Sequence, residues 1–207
     1  MRKLFATQTD FDKRAILRTL YKKITNQKSQ ISNLKSYIVH PMSWTQHGTS
    51  KVQTNGNIPA VGTNAPDFTL TDNKLNDVTL KSLRGSNVVL NIFPSIDTDT
   101  CAESVRQFNR KAAGLARTTV LCISKDLPYA MKRFCAAEGI NRVITLSDFR
   151  SKDFGNDYHV EMIDGSMRGL FARVVIVVDE YGVIKHSQMV PDLDDEPDYT
   201  AALEALM

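Results

Sequence analysis

Long apolar runs are missing from this 207-residue chain. None approaches the roughly 20 consecutive apolar residues that cross a bilayer, which excludes a helical integral membrane protein. Cysteine is scarce: Cys101, Cys122 and Cys135 are too few, and odd in number, for a secreted disulfide scaffold. That usage fits a reducing compartment where any disulfide is transient. No C-x-x-C pair occurs, which argues against a thioredoxin-type dithiol site. The four histidines, His40, His47, His159 and His186, are scattered and none has the close Cys/His spacing of a zinc site, so neither metal nor other cofactor is expected. The amino terminus, MRKLFATQTDFDKR, lacks the unbroken apolar core of a secretory signal, and the expected location is cytoplasmic. Internal repeats and low-complexity stretches are absent too.

What is present divides at residue 41. Residues 1–41 carry nine Lys/Arg against two Asp, a net +7, while 42–207 carry 17 basic against 21 acidic residues, a net −4. Within the first part Leu17, Leu20, Ile24, Ile31, Leu34 and Ile38 recur at steps of three and four if Gln27 is counted, which predicts a basic amphipathic helix or a frayed extension. Residues 43–64 are rich in Gly, Asn, Ser and Thr, a linker leading into hairpin-like material. From Asp67 onward short apolar segments alternate with helical patterns, the signature of an α/β domain. Strands are predicted at 67–71, 78–80, 87–93, 118–123, 143–146, 172–178 and 182–188, and helices at 101–115, 127–138, 150–157 and 198–206. Segments such as VVLNIF and RVVIVV are apolar on most successive residues, so helices should cover both faces of a mixed sheet.

Strand 87–93 runs into the turn-forming stretch PSIDTDTC at 94–101. Thr100 and Glu103 have the T-x-x-E form of a capping box, which would make Cys101 the first helical residue. Unpaired amides and the positive helix end there favour thiolate over thiol. The helix end contributes only about 0.3–1 kcal/mol, less than the roughly 1.4 kcal/mol of one pKa unit, so a nearby cation is needed. Arg106 on the same helix and Arg173 at the start of a core strand are the candidates, Arg173 the more suggestive. Cys135 falls on the apolar stripe of Met131, Phe134 and Ala137, and Cys122 inside VLCIS reads as packing.

Pro94 to Cys101 has the form P-x-x-x-T-x-x-C and resembles the peroxiredoxin active-site motif. NIFPSIDTDTC, VLCISKDLP, RFCAAEG, VITLSDFR and EPDYTAAL, with GTNAPDFTL upstream, are similar to the bacterial thiol peroxidase subfamily of atypical two-cysteine peroxiredoxins. The resemblance runs from Met42 to the last residue; residues 1–41 lie outside it. It implies a thioredoxin-like fold with an N-terminal hairpin and a domain spanning 42–207. It also implies Cys101 as peroxidatic cysteine, Thr98, Pro94 and Arg173 around it, and Cys135 as resolving cysteine. A hydroperoxide substrate, thioredoxin as reductant and a homodimer are implied as well, with no metal or dissociable cofactor. Asp99 stands where the family often has glycine or proline, two residues before the sulfur, either as a helix-end carboxylate or as a charge acting against the thiolate.

Two rival readings use the same residues differently. A peroxide sensor would pass its disulfide to a partner protein, and a binding module would act through the basic 1–41 segment on nucleic acid or membrane. The charge asymmetry separates the second from the peroxidase. Removing residues 1–41 is expected to leave peroxide-dependent oxidation of a dithiol reductant within about twofold of the full chain in a coupled NADPH assay, and a complete loss would overturn the peroxidase reading of the domain.

Overall fold

In the segment Val174–Val178 every residue is buried, but alternate side chains serve different cores. Val174, Ile176 and Val178 join one cluster with Leu70, Phe154, Tyr158 and Phe171. Val175 and Val177 join a second with Cys101, Val105, Phe108 and Met131. The same division runs through Asn87–Ile92, where Val88, Leu90 and Ile92 face one cluster and Val89 the other. A strand apolar at nearly every position is thus explained by a sheet covered on both sides.

A computed structural model describes residues 43–151 and 153–206. The expected amphipathic helix in 1–41 and the boundary at 41/42 lie outside the described residues. An antiparallel hairpin comes first, β1 (Trp44–His47) with β2 (Ser50–Gln53), turning through Gly48 at φ +59°. The seven-stranded sheet follows: β3 (Thr69–Asp72), β4 (Asp77–Thr79), β5 (Asn87–Ile92), β6 (Thr118–Ser124), β7 (Ile144–Ser147), β8 (Val174–Val178) and β9 (Ile184–Met189), in the order β4-β3-β7-β6-β5-β8-β9. The central β5, β6 and β7 are parallel and the outer pairings antiparallel. The fold is the mixed α/β sheet that the sequence pattern predicts, of the thioredoxin-like kind that the resemblance implies.

The parallel strands are joined by helices. Between β5 and β6 lies α1 (Asp99–Ala112), packed on β6, and between β6 and β7 lies α2 (Pro128–Glu138), packed on β7. Pro128 opens α2 where an absent N–H costs nothing, and Gly139 ends it at φ +65°. The short α3 (Phe154–Asp157) covers the other face, and α4 (Tyr199–Glu204) lies over β8 and β9, started by Asp198, whose side chain accepts the Ala201 amide. Among the described residues no helix is long and apolar enough to cross a membrane.

Two sequence expectations change. The helix predicted at 150–157 contracts to its last turn, Phe154–Asp157, with Arg150, Ser151 and Asp153 outside it. The stretch 158–171, assigned no element from sequence, buries Tyr158, Val160, Met162 and Phe171 with only isolated bridges such as Glu161 to Phe171. Tyr158 reaches the Pro66 carbonyl at 2.7 Å, which satisfies a hydroxyl otherwise sealed in the core.

Candidate active site

The carboxyl ends of parallel strands are where ligand crevices form in open α/β sheets. Here the chain leaves β5 through Phe93 and Pro94 and turns over residues 95–98. Thr98, extended at φ −106°, is the cap, and the first intrahelical bond runs from the Ala102 amide to the Thr98 carbonyl at 2.9 Å. Cys101 is therefore the third helical residue and not the first. The capping box expected from Thr100 and Glu103 is not formed. The Thr100 hydroxyl donates to the Asp194 carbonyl at 3.3 Å, and the Glu103 carboxylate accepts from Arg110 at 2.7 Å, from Gln107 and from Arg106. A spacing favourable for local capping loses here to partners brought by the fold and by the next turns of α1. Cys101 still lies in the first turn, among amides that precede the first intrahelical bond.

The decisive neighbour is Arg173, placed by the residue before β8. Its Nη2 lies 3.5 Å from the Cys101 sulfur, and both residues are buried, at 2% and 0% exposure. Arg106, the alternative cation, is committed elsewhere, to Glu138 at 2.9 Å and Glu103 at 3.4 Å. No carboxylate pairs with Arg173 among the described residues, so the sulfur is the group placed to balance the guanidinium.

Arg173 is itself held from behind. Its Nε and Nη2 donate to the Leu193 carbonyl at 3.1 and 2.7 Å. Leu193 in turn donates its amide to the Gln46 carbonyl of β1 at 2.8 Å, and the buried Thr45 hydroxyl donates to the Val190 carbonyl at 2.8 Å. The hairpin thus fixes the segment that aims the arginine. Neither Thr45 nor a backbone carbonyl at Leu193 carries a sequence signal for this role. The remaining guanidinium nitrogen, Nη1, is buried without an acceptor among the described residues.

In front of Arg173 opens a cavity of about 240 Å³, lined by Pro94, Thr98, Asp99, Thr100, Leu193 and His47 among others. It brings together Pro94, Thr98 and Arg173, three of the five residues singled out from sequence. Cys101 touches Arg173 behind its wall. The Thr98 side chain is exposed and its hydroxyl donates to the Ser95 carbonyl at 3.0 Å, not to the sulfur. Asp99 is exposed as the first residue of α1.

Cys135 is not brought to this site. It is buried on α2, and all three cysteines are free thiols. Burial pushes the Cys135 thiol up, and pushes Cys122 up to about 12. Cys122 receives only a long 3.7 Å contact from the Asn91 amide, against 3.5 Å from a guanidinium at Cys101. Among the three cysteines of the described residues, Cys101 is the one that a guanidinium contacts.

A family model described as Redoxin matches residues 60–203. The thiol peroxidase of Corynebacterium glutamicum is 50% identical over 165 residues, covering 80% of this chain and 99% of that protein. The thiol peroxidase of Mycobacterium bovis is 50% identical over 155 residues, covering 75% and 93%. Among solved structures, a peroxiredoxin-like protein from Aquifex aeolicus is 30% identical with a TM-score of 0.74, covering 80% of this chain and 97% of that one.

Replacing Arg173 by Lys keeps a cation but loses the fork that grips Leu193 and the sulfur together. Alkylation of Cys101 at neutral pH, followed by mass spectrometry, is expected to slow at least tenfold in Arg173→Lys. Thr45→Val should slow it less, by up to about tenfold from the loss of one hydrogen bond, with Thr45→Ser restoring it.

Proposed function

The chain belongs to the Redoxin family, and from that membership we propose that Cys101 and Cys135 together carry thiol-dependent reduction of hydroperoxides. The observation that carries the proposal is the Arg173 guanidinium: one nitrogen lies 3.5 Å from the Cys101 sulfur, another is buried without an acceptor among the described residues, and the residue lines the cavity. A buried donor of that kind is costly unless something arrives to accept from it. A peroxide oxygen entering beside Pro94 would do so.

The Cys101 thiolate attacks the terminal peroxide oxygen, forming the S–O bond as the O–O bond breaks and the alkoxide leaves to take up a proton. Arg173 balances the thiolate beforehand and the negative charge on the departing oxygen during attack. The product is a sulfenic acid. Cys135 condenses with it, forming the S–S bond and releasing water, and a reduced dithiol protein returns both thiols by exchange. Thioredoxin as the reductant and a homodimer, both implied by the resemblance, belong to the same reading.

The two cysteines lie on separate helices, each packed on its own strand, while a disulfide requires Cα atoms about 4.4–6.8 Å apart. The helix α1 is also tied to α2 by Arg106 to Glu138, and to the loop after α2 by Asn109, whose side chain accepts the Asn141 and Arg142 amides at 3.1 and 2.8 Å. Local unwinding around Cys101 and Cys135 is thus part of the cycle. In the coupled assay Cys101→Ser is expected to have no peroxide-dependent turnover. Cys135→Ser should consume one equivalent of peroxide and stall as a sulfenic acid that dimedone traps; continued turnover on thioredoxin would remove Cys135 from the resolving role.

A further inference from the structure

Asp126 is a feature of the loop between β6 and α2 that this chemistry has not used. Its carboxylate collects three hydrogen bonds: from the Ser95 hydroxyl at 2.8 Å, the Ile96 amide at 2.7 Å and the Ser124 hydroxyl at 2.6 Å. Its own carbonyl accepts the Ser147 hydroxyl at 2.5 Å. One residue therefore joins the carboxyl ends of β5, β6 and β7. No Lys or Arg pairs with it among the described residues, so its charge is met by these neutral donors, and bonds to an ionised acceptor are roughly twice as strong as neutral ones.

The two residues it grips are the middle of the loop that presents Cys101. Ile96 is fully buried in the same apolar cluster as Cys101. The Ser95 carbonyl accepts both the amide and the hydroxyl of Thr98, and the Thr98 carbonyl receives the first bond of α1. From Asp126 the restraint thus passes through Ser95 to the turn on which the nucleophile rides. On its other side Asp126 adjoins Leu127, the cap of α2, the helix that carries Cys135.

We propose that Asp126 is a positioning residue with opposed effects on the two halves of the cycle. It holds the Cys101 loop in the geometry that meets Arg173, and its release sets how fast α1 unwinds to let Cys101 reach Cys135. The inference rests on the Cys101–Cys135 disulfide of the proposed function. A merely structural residue would slow both steps together; this one raises the first rate constant and lowers the second.

The test measures both on the full chain. Quenched-flow mixing with hydrogen peroxide, read by mass spectrometry, yields the second-order constant for Cys101 oxidation and the first-order constant for disulfide formation. In Asp126→Ala the first is expected to fall about tenfold while the second rises at least threefold. Asp126→Asn, which keeps the volume and some of the acceptors, should lie between in both. Hydrogen exchange at the Ile96 and Thr98 amides should accelerate in both variants while β8 stays protected. Two constants within twofold of the parent in Asp126→Ala and Asp126→Asn, or two that fall together, would overturn the proposal. Absence of a Cys101–Cys135 disulfide in the oxidised parent chain overturns the underlying assignment of Cys135 instead, so the two failures are distinguishable.

Discussion

A guanidinium taken out of water without a carboxylate partner is among the most expensive groups a fold can hold, and Arg173, at 2% exposure and with no such partner among the described residues, is such a group. The Leu193 carbonyl satisfies two of its donors but supplies no charge. The Cys101 sulfur at 3.5 Å is the group placed to do so. The rest of the site follows from keeping those two atoms together. β8 brings the arginine, α1 brings the sulfur, and the hairpin β1–β2 holds Leu193 in place through the Gln46 and Thr45 hydrogen bonds.

That arrangement is in tension with the second half of the cycle. Cys101 and Cys135 are buried as free thiols on different helices, and the ties between those helices oppose their meeting. In the cycle we propose, a site held rigid for peroxide attack must be loosened to form the disulfide. Loop and helix-end hydrogen bonds, unlike the apolar clusters on either face of the sheet, are the features whose loss leaves the fold standing. The Asp126 carboxylate sits at such a place, where three strand ends meet.

Much of this was legible in the chain itself. The doubly apolar strands follow from VVLNIF and RVVIVV, since a strand buried on both faces has no polar side to show. Cys101 and Arg173 were picked out by motif and by charge at a strand start. Other features were not readable. The T-x-x-E box at Thr100 failed because the Asp194 carbonyl and the Arg110 guanidinium were better partners. Thr45, the Leu193 carbonyl and Asp126 act across 145, 20 and 30 residues of sequence respectively, and no local pattern marks them.

The sequence by itself determined the fold class, the order of strands and helices, and which cysteine stands at a helix start, because these depend on periodicity and on chemistry within a few residues. Only the tertiary structure decided which arginine meets that cysteine. Arg106 and Arg173 are equally charged; Glu138 claims one, while sheet and hairpin deliver the other to the sulfur. A motif can mark the cysteine, but the guanidinium that meets it comes from a residue 72 positions away, and a contact over that span exists only once the sheet has closed.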